Sequence, residues 1–293
     1  MRDDGMMSAE VKVDKRGANR SGRLSAAGMV GGAILIFWLL VALVGPYLAP
    51  YGQADIVSND NFANASAAFV LGADYIGRDI LSRLVNGAGT TLGMGIAATV
   101  LAQALGVSLG FFAAIRGGLI DTVMSRLNDA LLSFPHIMMG LVVIAALGSS
   151  VPVLVVTSGV VYASAVFRIA RALAMDLKVM DFVEVARARG EGTWWILRHE
   201  ILPNVALPLL TDFAIRLSFI ILFMSGLSFL GLGVQPPLAD WGSMVRENME
   251  GLRSGSLAPI IPAAAIASVT VSLNLLVDEL SLRTGRIYAE ARE

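Results

Sequence analysis

The chain reads as an all-α integral membrane protein with six transmembrane helices, and three observations carry that reading. Of its 293 residues, 56% are hydrophobic and only 15% are charged, whereas soluble domains run at about 45–50% apolar and about 25% charged. The apolar residues gather into uncharged runs close to the roughly 20 residues that cross a bilayer. The Lys and Arg between those runs fall mainly on alternate loops, as expected of a chain with both ends in the cytoplasm. A net charge of −1 leaves no broad basic face, which excludes nucleic acid as a partner. The absence of Cys removes disulfides, thiolate zinc sites and cysteine nucleophiles together.

Residues 1–25 form a basic tail, with Lys12, Lys15, Arg16, Arg20 and Arg23 ahead of the first apolar run. That run, residues 26–45, predicts an uncleaved first span, because it exceeds a signal peptide's apolar core and Gly45-Pro46-Tyr47 is a poor cleavage site. Residues 46–87 predict an external loop that carries Asp55, Asp60 and Asp74 but no Lys or Arg as far as Gly77. Within it, Ile80, Leu81 and Leu84 stand opposite Arg78, Asp79 and Ser82, which predicts an amphipathic helix at the membrane surface, with Asp79 balancing Arg78 and Arg83.

Residues 88–280 predict a five-helix core. Its first span, Gly89 to Ala113, carries Gly106-x-x-x-Gly110, a spacing that lets another helix approach closely. Arg116, Asp121 and Arg126 mark a cytoplasmic loop. Between Asp129 and Arg168 the only Asp, Glu, Lys, Arg or His is His136, and the stretch is too long for one helix. It divides at Gly148 to Pro152 into a third span near Asn128 to Leu147 and a fourth near Pro152 to Leu173. Pro135 predicts a kink in the third span. His136 beside it is either a functional group in the membrane or a residue near the inner end satisfied by water or a neighbouring helix.

The charged segment Glu184 to Pro203 predicts two short helices joined by a glycine elbow at Gly190, projecting into the cytoplasm. Trp194, Trp195, Ile196 and Leu197 give the second helix an apolar side, Arg198, His199 and Glu200 a polar one, and Pro203 is expected to end it. The fifth span, Val205 to Leu230, carries Asp212 and Arg216 one turn apart, where they can pair and either line a translocation path or brace the bundle. Glycines and two prolines then close that helix before an external loop. A sixth span, Ser254 to Val277, leads to a cytoplasmic tail, residues 281–293.

No Gly-x-x-x-x-Gly-Lys-Ser/Thr phosphate loop occurs, and His136 and His199 are the only histidines, without metal-ligand spacing. Energy for any transport must come from outside the chain. An ion-driven secondary transporter would want buried carboxylates and internal repeats. Asp212 with Arg216 is the one candidate pair, and no repeat is visible.

Glu184-x-Ala186-x-x-x-Gly190, followed by Leu202-Pro203, resembles the coupling-loop signature of ABC importer permeases. The segment from Leu71 through Gly77, Arg78 and Asp79 to Arg83, the run Asp129 to Pro135, and Ser228 to Pro237 with Gly231, Gly233, Pro236 and Pro237, then Asp240-Trp241-Gly242, are similar to the dipeptide, oligopeptide and nickel branch. The resemblance spans roughly residues 26–280 and implies the ABC type I importer transmembrane-domain fold with cytoplasmic coupling helices, in a bacterial inner membrane. It implies a homologous second permease, two ATP-binding subunits and an external solute-binding protein as partners. The chain itself would hold no cofactor, with ATP and magnesium on the ATPase subunits. Glu184, Ala186, Arg187 and Gly190 would form the coupling elbow, Trp194 and Trp195 would fill a docking cleft or anchor at the headgroups, His199 would face the partner, and Leu202-Pro203 would open the fifth span. Peptides or peptide-like solutes are the implied cargo, with nickel or metal chelates and opines as alternatives. The sequence departs from the pattern at Val185, at Glu200 and along Asn274 to Arg286.

Overall fold

A computed structural model describes residues 25–290, with side chains as far as Ser281. Residues 1–24 of the basic tail and the side chains of Arg283, Arg286 and Arg292 lie outside the described part. Among the described residues, five helices are long and apolar enough to cross a membrane, and there are six spans if a bent pair is counted as one.

Helix α1 (Ala26–Leu48) starts at Ser25, whose hydroxyl accepts the Gly28 N–H. It runs on through Gly45 and Pro46. Ser25 Oγ also donates to Glu279 of α10 (Ile260–Glu290), and Trp38 Nε1 donates to Ser268 Oγ of α10 at 2.8 Å. These bonds clasp α1 against α10, and Ile36, Phe37, Leu40 and Leu43 stay exposed on its other side as a lipid-ready face.

Helix α2 (Ile80–Arg116) is 37 residues long, about 55 Å at 1.5 Å per residue. The amphipathic surface helix expected near Arg78 does not exist separately, because Asp79 caps α2 by accepting the Ser82 N–H at 2.7 Å and the segment runs straight into the second span. Arg83 finds its partners in the preceding loop and in α9 (Trp241–Glu247), not among headgroups.

The third span is not one kinked helix. Helices α3 (Gly118–Leu132) and α4 (His136–Leu147) meet at 85° across Ser133, Phe134 and Pro135. Pro135 supplies no N–H and disfavours a helical residue before it, so the chain turns instead of bending. Helix α5 (Val151–Leu177) then packs along α2 more intimately than any other pair. A Cβ on Gly106 would stand 2.5 Å from Val166 Cβ, and one on Gly159 would stand 2.7 Å from Leu101 Cδ2.

Beyond α5 come α6 (Asp181–Ala188), the single turn α7 (Thr193–Ile196), a π turn at Leu197–Ile201 and α8 (Leu202–Phe229). Pro203 does not end the preceding turn as expected, since Thr193 to Phe229 forms one continuous helical path. The π turn widens the backbone ahead of the proline ring, and Asn204 Nδ2 recovers the Glu200 carbonyl at 2.6 Å. Helix α9 and a 3₁₀ turn at Met249–Ser254 occupy the external loop expected after the fifth span.

Three clusters form the core: one among α2, α4, α5 and α8, one joining α1, α2, α8, α9 and α10, and one under α6 and α7. The α2–α5 seam leaves no room for a side chain at Gly106. Gly106→Val should therefore destabilise the chain by about 1–3 kcal/mol, read as a lowered midpoint for heat-induced loss of the monodisperse protein in detergent. Gly93→Ala, at a helical site with no atom within 4 Å, should leave that midpoint unchanged or raise it.

Candidate functional site

Three groups of side chains stand out: the elbow, a polar cluster inside the bundle, and a buried charge network at the end opposite the elbow.

The elbow is rigid for a local reason. Helix α6 carries Asp181 and Glu184 in its first turn and Arg187 in its last, each sign complementing the helix dipole. Its inward face buries Val183 and Ala186 completely, against Ile196, Leu197, Ile201, Ala170 and Ala174. It ends at Gly190, whose φ is +83°, with the Gly190 N–H donating to Arg187 O and the Glu191 N–H to Ala186 O. A Cβ on Gly190 would meet nothing within 4 Å. The backbone conformation alone demands glycine there.

The two tryptophans expected to act together are placed differently. Trp195 stacks on His199 at 4.8 Å between ring centroids and lies beneath Arg189, while His199 Nδ1 is 3.1 Å from the Trp195 carbonyl. Arg189 reaches Glu200 at 3.6 Å. Trp194 instead projects outward, 73% exposed, and with Val179, Phe182 and Val185 it gives the elbow an apolar surface. Glu184, Arg187 and Arg198 are exposed around it. Leu202 and Pro203 open α8 directly behind the elbow.

Inside the bundle, Asp212, Arg216 and His136 come together. Asp212 is 3% exposed and accepts from Arg216 Nε at 3.0 Å and from Gln103 Nε2 of α2 at 2.9 Å. His136 opens α4 and lies 5.0 Å from the Tyr162 ring, near the midpoint of α5. It is therefore level with the middle of α5 and not with the end of α5 nearer the elbow, because α3 leaves the line of the third span at the 85° break. Tyr162 donates to Phe219 O at 3.4 Å, and both His136 and Tyr162 are within electrostatic reach of Arg216. Gln103 and Tyr162 were missed in the sequence. Gln103 carried a signal, being the one amide in the otherwise uncharged stretch from Gly89 to Ala113.

At the opposite end, the two motif regions around residues 72–84 and 228–242 form one structure. Asp74 Oδ2 accepts from Arg78 Nε and from Arg83 Nη1, both at 2.6 Å, and Glu247 Oε2 accepts from the same two arginines, both at 2.9 Å. Asp79 does not balance Arg78 and Arg83 as expected. It is occupied as the cap of α2. Gly77 has φ +88° with the Ser58 carbonyl where a Cβ would go, and Gly231 has φ +90° under Arg246. Gly233 lies against Ser228, and a cis peptide joins Pro236 and Pro237. Trp241 is fully buried, donates Nε1 to Leu84 O at 2.9 Å and meets Trp38 edge-on at 4.8 Å. This network locks the loop onto α2 and α9. Among the described residues, no group of three or more His, Cys, Asp or Glu side chains is placed to hold a metal ion.

Arg83 also keeps Nε and Nη2 buried without a protein partner, so its desolvation is incompletely offset. Asp74→Asn, which leaves two guanidiniums against one carboxylate, should cost about 3–5 kcal/mol in unfolding experiments. Burial pushes the Glu247 carboxyl above the ordinary glutamate range, against the pull of Arg78. The folded chain then holds that proton more tightly than the unfolded chain, so stability falls as pH rises from the ordinary glutamate pKa through the raised one. Glu247→Gln should flatten that slope in melting curves taken between about pH 4 and about pH 7.

Known proteins resemble this chain in sequence. Residues 106–282, more than half of the chain, match the family described as binding-protein-dependent transport system inner membrane component, and residues 25–67 match the N-terminal TM domain of oligopeptide transport permease C. The chain is 32% identical over 253 residues to the glutathione transport system permease protein GsiD of Pectobacterium atrosepticum, covering 86% of this chain and 84% of that one. It is 31% identical over 252 residues to the dipeptide transport system permease protein DppC of Alkalihalophilus pseudofirmus, covering 86% and 83%. A crystal structure of an amino acid ABC transporter with histidines aligns with a TM-score of 0.48 at 20% identity, over 69% of this chain and 94% of that one. With a family model across its core, a second across its first helix and near full-length relatives above 30% identity, the chain belongs to the multi-pass inner-membrane permeases of binding-protein-dependent ABC importers.

Proposed function

We propose that this chain forms, with a homologous second permease, the translocation path for small peptides or peptide-like solutes, and that two ATP-binding subunits drive it through the elbow. The relatives named for glutathione and dipeptides support cargo with a peptide backbone over metal chelates or opines. The elbow end, with both termini, lies in the cytoplasm. The opposite end receives solute from an external binding protein. ATP and magnesium belong to the partner subunits, since the chain carries no phosphate-loop sequence.

The observation that carries this reading is the elbow's mechanical continuity. Its buried face is built into the ends of α2 and α5, and its second half passes through the π turn into α8 without a break. A displacement of the exposed patch around Trp194 and Val185 is therefore delivered to α5 and α8 together. Closure of the ATPase pair can shift the permease only by the difference in its affinity for the two permease states, and a stiff connection is what turns that difference into movement of the spans. An ion-driven carrier needs no such handle.

The test is co-purification of the chain with its genomic neighbours, followed by ATP hydrolysis in lipid with and without the binding protein. Gly190→Pro removes the left-handed conformation and the Gly190 N–H, and Gly190→Ala alone strains it by roughly 1–2 kcal/mol. The complex should assemble with either variant, and binding-protein-stimulated hydrolysis should fall about ten-fold or more with Pro and less with Ala. A wild-type chain that purifies without an ATPase and accumulates solute on an ion gradient would overturn the assignment.

A further inference from the structure

Midway along α8, away from the charge network at one end and from the pairs Arg168–Asp129 and Arg171–Asp121 near the elbow, stand two charged side chains, Asp212 and Arg216. The pair is not symmetric. Both Asp212 oxygens are engaged, one by Arg216 Nε and the other by Gln103, and the carboxylate is turned inward at 3% exposure. Arg216 spends only Nε on this pair. Its two terminal nitrogens make no hydrogen bond to the described residues, and the side chain is 16% exposed. Seen from outside the bundle, the pair presents a cation.

A second, independent observation says what that side of the chain faces. Ser133, Phe134 and Pro135 interrupt the helix between α3 and α4, all three are exposed, and His136, the next residue, stands beside Tyr162 in reach of Arg216. Non-helical backbone at membrane depth does not occur against lipid. It survives only against protein or around a water-filled cavity. A guanidinium with two free nitrogens at mid-depth makes the same demand, since a charge there must face a cavity or a partner.

We propose that Arg216 is a carboxylate-recognising station on the translocation path, taking the free carboxylate of the transported solute on its two unengaged nitrogens. This rests on the proposed transport of peptide-like solutes. A guanidinium fork matches a carboxylate in bidentate geometry, which an ammonium does not. Asp212 has two parts in this. It fixes the fork by holding Nε, and its charge partly offsets that of Arg216, so that the solute is held weakly enough to leave. A transport site must satisfy both conditions. Tyr162 and His136 stand within electrostatic reach of the fork.

The chain has no Cys, so Arg216→Cys introduces a unique thiol into it. The complete transporter, with second permease, ATPase subunits and binding protein, is placed in lipid vesicles, and dialanine uptake per ATP hydrolysed is measured with the binding protein saturated. Arg216→Cys should lower this ratio roughly ten-fold. Labelling with a water-soluble aminoethyl thiosulfonate, which restores a cation, should recover a large part of it, and the sulfonatoethyl reagent, which adds an anion, should not. Arg216→Lys, which keeps the charge without the fork, should fall between wild type and Cys, and it carries the test if the Cys variant does not assemble. The proposal is overturned if the Cys variant transports like wild type, if its thiol is not reached from water, if the two reagents act alike, or if Lys matches wild type. A wild-type complex that takes up neither dialanine nor glutathione would overturn the broader functional reading instead, and the two failures are thereby told apart.

Discussion

The close approach of α2 and α5 is the contact on which the rest of the molecule depends. In a bilayer, lipid tails are as apolar as leucine, so helices gain little from hiding apolar surface and must gain from packing. Gly106 and Gly110 on α2 and Gly159 on α5 remove the side chains that would hold the two backbones apart. That seam sets the position of everything attached to it. Helix α2 carries the Asp74, Arg78, Arg83 and Glu247 network at its start and presents Gln103 to Asp212 midway. Helix α5 carries Tyr162 at its middle and leads into the elbow. Loop end, interior cluster and elbow are thus referred to one rigid pair.

The buried charges divide according to what surrounds them. At the loop end, two arginines and two carboxylates close on each other and leave no outward charge, which suits a fastening. Midway down α8, one carboxylate is saturated and one guanidinium is left partly unengaged, which suits a surface that meets something else. The residue types are the same in both places. The difference lies in how many acceptors each guanidinium can reach.

Much of this was legible in the sequence. The spans, the elbow at Gly190 and the i to i+4 pair of Asp212 and Arg216 follow from periodicity, glycine chemistry and charge spacing, which are local properties. The break at Pro135 was visible as a proline but not as an 85° turn, because the angle depends on where Asp121 and Asp129 find Arg171 and Arg168 on another helix. The partners of Arg78 and Arg83 were misread for a related reason. Asp79 is the nearest carboxylate in sequence, but a helix start claims it, and of the two acceptors that replace it, Asp74 and Glu247, the second is 169 positions from Arg78. Pro203 was read by its usual effect on a helix, and the π turn that accommodates it leaves no mark in composition.

That π turn fixes a phase relation. Because the path from Thr193 to Phe229 is helical throughout, the direction in which Arg216 points is set by counting residues from the elbow. One residue gained or lost between Thr193 and Val205 would turn everything beyond it by about 100°. Asp212 would then leave Gln103, and Arg216 would be carried around to another side of α8. The length of this segment is under as tight a constraint as any side chain in it.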